Sequence, residues 1–421
     1  MRSILKTKTA IALALTVMAG TASADGHSSV EVLHWWTSGG EAAALNVLRE
    51  DLSGQGIGWT DMPIAGGGGS DAMTVLRARV TAGDPPTAVQ MLGFAIQDWA
   101  NEGALASLND LAAEQNWDEV VPAALQSFSM NDGNWVAAPV NVHSTNWVWA
   151  NSAIMAELGL EEAPADWDGF VAAMQAAQDA GYVGLAHGGQ AWQDATVFDS
   201  MVMGVGGPEF YQAAFIDLDP EALGGPQMVE AFERMETLRG FVDDNFSGRD
   251  WNLASAMVAN GEALFQIMGD WAKGEFLNAG QTAGEEFQCF RVPGTEGTVT
   301  FNSDQFAMFE VTDPVAMEAQ MTMASAVMSP EFQVAFNTVK GSVPARTDIS
   351  DAEFDACGQL GMAQLAAAAE SGGLYGSMAH GHANIPSVQN AMYDVITAHF
   401  NGEFDAQTAA AEMVTAVELA Q

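Results

Sequence analysis

Two adjacent tryptophans, Trp35 and Trp36, precede a Ser-Gly-Gly turn and the carboxylate of Glu41 in the segment HWWTSGGEAAAL. An indole face offers an apolar surface to the C–H face of a pyranose ring, and a carboxylate accepts hydrogen bonds from the ring's hydroxyls. The combination favours a site for a neutral sugar. The alternative is that one or both rings belong to a hydrophobic core, as paired aromatic residues in a strand often do.

Other residues that could do chemistry form weaker patterns. The sequence contains no Gly-x-Ser-x-Gly or His-Glu-x-x-His motif, although a glycosidase whose carboxylates meet only on folding is still possible. His380 and His382 lie two residues apart without a cysteine partner, so the sequence predicts no metal site and no cofactor. The glycine run at residues 66–69 lacks the lysine of a phosphate-binding loop and is interpreted as a turn.

The first 24 residues have the pattern of a secretory signal peptide. Three basic residues precede an apolar run over residues 11–18, and Ala22-Ser23-Ala24 follows as a cleavage site. No later stretch approaches the roughly 20 apolar residues that a membrane helix needs. We therefore expect an exported protein, cleaved near Ala24, without membrane insertion.

Charge and cysteine content limit the partners and the redox state. The chain carries 13 basic and 54 acidic residues, a net charge of −41, which argues against binding to nucleic acid or anionic membranes. The two cysteines, Cys289 and Cys357, are expected to form a disulfide in an exported protein. Two unpaired buried thiols are the alternative.

The elements that must position these residues alternate between strand and helix. Residues 30–36, 58–64 and 87–92 have strand patterns, and helical patterns follow at residues 41–52 and after Ser70, the expected N-cap. Residues 301–311 are interpreted as one further strand. This order predicts an α/β fold with a mostly parallel sheet and a ligand at the carboxyl ends of its strands. A length of 421 residues predicts two lobes.

Several segments, in this order along the chain, resemble one protein family. They are HWWTSGGEAAAL, RARVTAGDPPTAVQ, APVNVHSTNWVWAN, ADWDGFVAAM, ANGEALFQIMGDWAKG, SPEFQVAFNTVKGSVPAR and the SMAHG around His380. The chain resembles the sugar-binding proteins of bacterial ABC importers, family 1 of the extracellular solute-binding proteins, and most closely their glucose/mannose-binding branch.

The resemblance implies a two-lobed, type II-like periplasmic binding protein fold with several crossovers and a ligand cleft between the lobes. The N-terminal lobe is expected to comprise residues 25–142 and 300–345, and the C-terminal lobe residues 143–299 and 346–421. The expected function is that of a monomeric periplasmic receptor that delivers a monosaccharide to the permease of an ABC transporter. The rival interpretation is a secreted carbohydrate-active enzyme.

By matching position, the resemblance also implies a set of sugar-binding residues. Aromatic walls are expected from Trp35, Trp36 and Trp271. Hydrogen bonds to sugar hydroxyls are expected from Glu41, Asp304, Lys340 and His380, with Gln90, Asn141 and His143 as further candidates. A departure from the family pattern occurs at Met91 and Leu92, where relatives have a polar or basic group. The departure leaves open whether the ligand is glucose, mannose, another monosaccharide or a small glycoside.

Overall fold

A computed structural model describes residues 28–421, and the predicted signal peptide therefore lies outside the described residues. The strands, in chain order, are β1 (Ser29–His34), β2 (Gly58–Pro63), β3 (Ala88–Leu92), β4 (Met130–Asn131), β5 (Asn134–Trp135), β6 (Ala137–Pro139), β7 (Asn141–Ser144), β8 (Trp147–Asn151), β9 (Val183–Leu185), β10 (Ala263–Ile267), β11 (Phe287–Arg291), β12 (Val299–Asn302), β13 (Asp304–Met308), β14 (Val343–Pro344) and β15 (Leu374–Gly376).

The α-helices are α1 (Gly39–Gly54), α2 (Ser70–Thr81), α3 (Gly93–Asn101), α4 (Asn109–Glu114), α5 (Trp117–Val120), α6 (Ala123–Ser129), α7 (Ser152–Glu157), α8 (Trp167–Asp179), α9 (Ala191–Tyr211), α10 (Pro220–Leu223), α11 (Pro226–Arg239), α12 (Trp251–Ala259), α13 (Ala272–Asn278), α14 (Pro314–Val327), α15 (Pro330–Lys340), α16 (Ala356–Ser371), α17 (Pro386–Phe400) and α18 (Ala406–Ala420). Short 3₁₀ turns cover Gly67–Gly69 and Met378–His380, and Gln212–Ile216 is a π-helical turn.

The first sheet has the strand order β2-β1-β3-β13-β6. Strand β1 pairs in parallel with β2 and β3, whereas β13 is antiparallel to both β3 and β6. The prediction of a mostly parallel sheet holds for β1, β2, β3 and β6, which all run in one direction, and fails at β13, which runs against them. The physical reason is the chain path, because the chain returns to this sheet at β13 only after passing through the other half of the molecule, and not through a simple βαβ succession.

Two four-stranded sheets and the antiparallel pair β4-β5 complete the sheet architecture of the described residues. The four-stranded sheets differ in origin. One has the order β11-β8-β10-β9 and carries α8, α12 and α13 beside it. The other, with the order β14-β7-β12-β15, gathers short segments from four distant parts of the chain. We call this second one the crossover sheet. The chain therefore passes between the two halves of the molecule several times.

The buried side chains form two large separate cores. One core consists mainly of residues from 147–292 and 378–417, and the other mainly of residues from 30–142 and 299–345. Separate cores are expected because a single core rarely grows beyond about 250–300 residues. The lobe boundaries given above stay a prediction.

Three local features refine the sequence-based expectations. Helix α2 begins at Ser70, but its N-cap is Gly69, because the preceding 3₁₀ turn brings the chain in with a left-handed glycine. The expected strand over residues 301–311 is divided at Ser303 into β12 and β13, which belong to different sheets. The sulfur atoms of Cys289 and Cys357 lie 2.00 Å apart, at bonding distance, as the sequence predicts.

Candidate ligand-binding site

A cleft with a volume of about 170 Å³ lies where β1, β9 and β10 end. Eight of the ten predicted ligand-binding residues line it: Trp35, Trp36, Glu41, His143, Trp271, Asp304, Lys340 and His380. Strand direction explains part of this convergence. Trp271 follows β10 just as Trp35 follows β1, and Asp304 begins the antiparallel strand β13, where it faces Leu92 at the end of β3.

Glu41 and Lys340 form the first polar contact of the cleft. Glu41 lies in the first turn of α1, where its Oε2 accepts from the backbone N–H groups of Thr37 and Ser38, each at 3.2 Å. The Nζ of Lys340, at the end of α15, lies 3.7 Å from Glu41 Oε1. Burial raises the pKa of Glu41 and outweighs the opposing effects of Lys340 and Ser38. At 3.7 Å, the ammonium has room for a shorter bond to a ligand oxygen.

Asp304 is held by three neighbouring side chains. Its carboxylate accepts from Gln90 Nε2 at 2.7 Å and Asn141 Nδ2 at 2.9 Å, and its Oδ2 lies 3.0 Å from His143 Nε2. Burial alone would raise the pKa of Asp304, but His143, Lys340 and Asn141 together lower it, so the group is an ionised acceptor.

Gln90 and Asn141 do not reach the cleft. Each uses its side-chain amide on Asp304, and Gln90 Oε1 also accepts from the backbone N–H of Trp35 at 3.1 Å. Direct binding of the sugar by these two residues stays a prediction, and the structure places their side chains behind Asp304. Both residues orient Asp304, and Gln90 also orients Trp35. A buried carboxylate needs hydrogen-bond donors, and the two amides supply them and so hold the carboxylate in place.

His143 connects the two halves of the site. It lies on β7 of the crossover sheet, with Nδ1 bonded to Asp270 Oδ1 and Nε2 facing Asp304. Asp270 Oδ2 accepts in turn from the Ser144 backbone N–H at 3.0 Å. Burial lowers the pKa of His143, but Asp270 and Asp304 outweigh burial and Lys340, so the net pKa is raised. The imidazole is thus favoured as a cation between two carboxylates.

Another part of the cleft lining is aromatic. The ring centroids of His380 and Trp271 lie 5.1 Å apart, and those of His380 and Trp192 lie 6.1 Å apart, both in edge-to-face orientation. Burial lowers the pKa of His380 to about 3, which keeps its imidazole neutral. These three side chains present ring edges and faces without a net charge.

Trp192 is a cleft residue that sequence reasoning missed. It lies in the first turn of α9, which follows β9, and its ring packs over Gly68 so closely that a Cβ there would lie 3.0 Å from the indole. The same rule that singled out Trp35, an aromatic residue beyond the carboxyl end of a strand, applies to Trp192. Further cleft residues outside the prediction are Thr37, Ser38, Gln190, Asp250, Trp251, Asn252 and Asn302.

Trp35 and Trp36 occupy different environments. Trp36 is 2% exposed and packs 5.7 Å from Phe306 and 5.3 Å from Phe336, between ring centroids. Trp35 is half-buried and lines the cleft. The core alternative considered for the pair therefore applies to Trp36, which reaches the cleft only from within the core.

The two positions that depart from the family pattern also differ. Met91 is fully buried in a small apolar core, whereas Leu92 lines the cleft and contributes no hydrogen bond.

His382 has a structural role, because its Nε2 lies 3.2 Å from the Ser303 backbone N–H and its Nδ1 lies 2.8 Å from the His380 carbonyl. Within residues 28–421, no cluster of acidic, histidine and cysteine side chains could hold a metal ion, and no helix is long and apolar enough to cross a membrane.

Comparison with known proteins identifies the family to which this architecture belongs. Residues 56–317 match the family of bacterial extracellular solute-binding proteins. The chain belongs to this family. A relative from Rhizobium meliloti (strain 1021), named "Probable sugar-binding periplasmic protein", is 60% identical over 421 residues, with both chains covered completely.

Solved structures of solute-binding proteins share the two-lobed fold. A "Chitin oligosaccharide binding protein" superposes with a TM-score of 0.80 at 19% identity, covering 93% of this chain and 98% of the other. "Maltose bound T. maritima MalE3" superposes with a TM-score of 0.77 at 16% identity, covering 93% of this chain and all of the other. The predicted fold class is therefore confirmed: this solute-binding protein has two α/β lobes.

Proposed function

We propose that this solute-binding protein is a periplasmic receptor that binds a neutral monosaccharide, with glucose or mannose as the first candidates, and delivers it to the permease of an ABC transporter. The observation that carries the proposal is that one cleft combines two unlike kinds of surface. Glu41, Asp304 and Lys340 supply hydrogen-bonding charges, and Trp192 and Trp271 supply aromatic surface. A pyranose needs both kinds of surface at once.

The charges of the site favour a neutral ligand. The Asp304 carboxylate already faces the imidazole of His143 at 3.0 Å, and Glu41 faces the ammonium of Lys340 at 3.7 Å. A charged ligand would add an unpaired charge to this arrangement, at a cost in desolvation. Hydroxyl groups can instead donate to the carboxylates and accept from the ammonium without changing the net charge.

Contacts across the cleft supply a way to signal that it is loaded. The Gly40 backbone N–H, at the start of α1, donates to Glu275 Oε1 of α13 at 2.8 Å. A Cβ at Gly40 would lie 2.6 Å from the Gly274 carbonyl carbon, so the two helices approach as closely as glycine allows. A sugar that touches both walls favours this closed arrangement, and a permease that binds the closed form then selects the loaded receptor.

The size of the cleft favours one sugar ring. A second cavity adjoins it, and five residues line both spaces: Trp35, Gly68, Leu92, Trp192 and His380. We expect a monosaccharide to occupy the first space alone. A disaccharide or glycoside would need to pass this shared wall and enter the second.

The test is calorimetric titration of the mature protein with D-glucose, D-mannose, D-galactose, D-xylose and maltose, with gluconate as a charged control. We expect stoichiometric binding of at least one neutral monosaccharide and little change in Kd between low and high salt, because neutral ligands are not screened. Chromatography of the recovered sugars and of nitrophenyl glycosides tests the enzyme alternative. Turnover of any of them, or no binding across the panel, would contradict the proposal.

A further inference from the structure

His380 lines the cleft with one ring nitrogen in a hydrogen bond and the other free. Its Nδ1 lies 2.9 Å from Ser377 Oγ, and its Nε2 is buried without a partner among the described residues. In a neutral imidazole one nitrogen donates and the other accepts. The position of a single proton therefore decides whether His380 offers the ligand a donor or an acceptor.

Ser377 determines that position through its contact with Asp199. The Ser377 Oγ lies 2.5 Å from Asp199 Oδ2, a separation that requires a proton between the two oxygens. Since a serine hydroxyl has one proton, Ser377 uses it on Asp199 and turns a lone pair towards His380. The Nδ1 of His380 must then carry the proton that fills this contact.

The surroundings of Asp199 keep this arrangement in both protonation states of the carboxyl. Its Oδ2 accepts from Ser377 Oγ and, at 3.3 Å, from the Ala379 backbone N–H, whereas its Oδ1 accepts from Tyr211 Oη at 3.0 Å. Burial raises the pKa of Asp199 to about 7. A bound proton is best placed on Oδ1, because Tyr211 Oη also lies 3.0 Å from the Gly376 carbonyl and can donate there instead.

We infer that Asp199 and Ser377 are positioning residues that fix His380 as the Nδ1–H tautomer, so that its Nε2 accepts a hydrogen bond from a ligand hydroxyl. Hydrogen bonds connect Tyr211, Asp199, Ser377 and His380 in series, and each of these four side chains is at least nine-tenths buried. The statement about the ligand rests on the proposed function; the statement about the tautomer does not. A ligand with an ether oxygen or fluorine at this point would bring two acceptors together and bind more weakly.

The tautomer is tested by nitrogen NMR on the mature protein with histidine-selective ¹⁵N labelling. The chain has seven histidines, and His380→Gln assigns the relevant signals. Long-range ¹H–¹⁵N correlations are expected to show a protonated Nδ1 and a bare Nε2 in the wild type. A protonated Nε2 in the wild type would overturn the inference, and this result needs no variant to fold.

Two variants separate a positioning role from a merely structural one. Ser377→Ala removes the acceptor, so His380 should populate both tautomers. Asp199→Asn should retain the Nδ1–H form, because its amide oxygen can accept from Ser377 and Ala379 while its NH₂ donates to Tyr211. Thermal melting checks that each variant folds. An unchanged tautomer in folded Ser377→Ala would contradict the role of Ser377.

Ligand binding is tested with D-glucose and its monodeoxy and monodeoxyfluoro analogues. At one ring position, both analogues should bind about three- to tenfold more weakly than D-glucose. The fluoro penalty at that position should shrink in Ser377→Ala and persist in Asp199→Asn. Equal Kd values for all fluoro analogues and D-glucose would contradict the acceptor role of His380. If D-glucose does not bind while the tautomer is as inferred, the choice of glucose fails and the positioning role stands.

Discussion

The charged wall and the aromatic wall of the cleft differ in how far their buried groups are already paired with other groups of the protein. On the charged wall, formed by Glu41, Asp304 and Lys340, the carboxylates already accept hydrogen bonds from the protein itself. On the aromatic wall, formed by Trp192, Trp271 and His380, the rings pack against one another and the Nε2 of His380 has no partner within the part of the chain that the structure describes.

The difference follows from the cost of leaving each kind of group without a partner. A buried charge is costly unless other groups pair with it, so the charged wall must be organised before any ligand arrives. Aromatic faces carry no charge, so their contact with water in the empty cleft costs little free energy. A sugar ring that displaces this water stabilises the complex. We therefore expect substitutions on the charged wall to affect both stability and binding, and substitutions on the aromatic wall to affect mainly binding.

The largest expected effect is that of Asp304→Ala. It leaves the amides of Gln90 and Asn141 and the cation of His143 without their acceptor. We expect a loss of about 3–5 kcal/mol in the free energy of unfolding and a more than hundredfold weaker Kd, of order 3 kcal/mol. Chemical denaturation and calorimetry measure the two effects.

The matched control is Asp250→Ala. Asp250 also lines the cleft but is exposed at its aromatic side, where it accepts from Gln190. We expect a stability change within about 0.5 kcal/mol. A larger loss of stability in Asp250→Ala than in Asp304→Ala would break the distinction between the two walls.

Lys340→Met should have the next largest effect on binding. The substitution removes the ammonium near Glu41 while keeping an apolar stem of similar length. Loss of a charge-assisted hydrogen bond costs roughly 1.5–3 kcal/mol, which corresponds to a Kd about ten to a hundred times weaker. The control is Lys273→Met, because Lys273 is equally buried but pairs with Asp355 away from the cleft. Lys273→Met should destabilise the fold without changing Kd, and an unchanged Kd in Lys340→Met would remove Lys340 from the site.

Trp192→Ala probes the aromatic wall. Removing its indole takes away a stacking surface and the contact over Gly68. We expect sugar binding weaker by about 1–2 kcal/mol, or roughly five- to thirtyfold. Calorimetric titration measures this loss, and Trp59→Ala, at a half-buried tryptophan outside the cleft, should leave Kd unchanged.

Trp36→Ala tests how a tryptophan that packs in a core differs from Trp192 in its effect on stability. Because Trp36 packs against Phe306 and Phe336, its truncation should cost about 3–5 kcal/mol in unfolding free energy, more than Trp192→Ala. Denaturant unfolding of the two variants decides the order. Equal stability losses would mean that Trp36 and Trp192 do not belong to different environments.

The smallest effect is a pH dependence carried by His143. Its folded-state pKa is raised above 6.5, so its contribution to stability is fully present below about pH 6.5 and is lost as the pH rises through the folded-state value. The stability difference between wild type and His143→Gln should therefore decrease as the pH rises. Urea unfolding of both proteins between about pH 5 and pH 9 tests the sign. A difference that grows with pH would contradict the charged state assigned to His143.

The sequence was most informative where structure is local. The capping box of Ser38 and Glu41 lies within four residues, so the start of α1 and the place of the carboxylate could be predicted. The same holds for Trp35 beyond β1, and the rule behind that prediction would also have found Trp192 beyond β9. The resemblance to a known family, rather than any local pattern, identified Asp304, Lys340 and His380.

Residue type and spacing by themselves determined the alternating elements, the two lobes and the mixture of aromatic and acidic groups that a sugar requires. Only the tertiary structure decided that Trp36 packs into a core while Trp35 faces the cleft, and that Gln90 and Asn141 donate hydrogen bonds to Asp304. Those roles depend on contacts with β13 and α15, far away along the chain. A buried polar group takes whichever partner the fold brings within hydrogen-bonding distance, and no local sequence pattern records that choice.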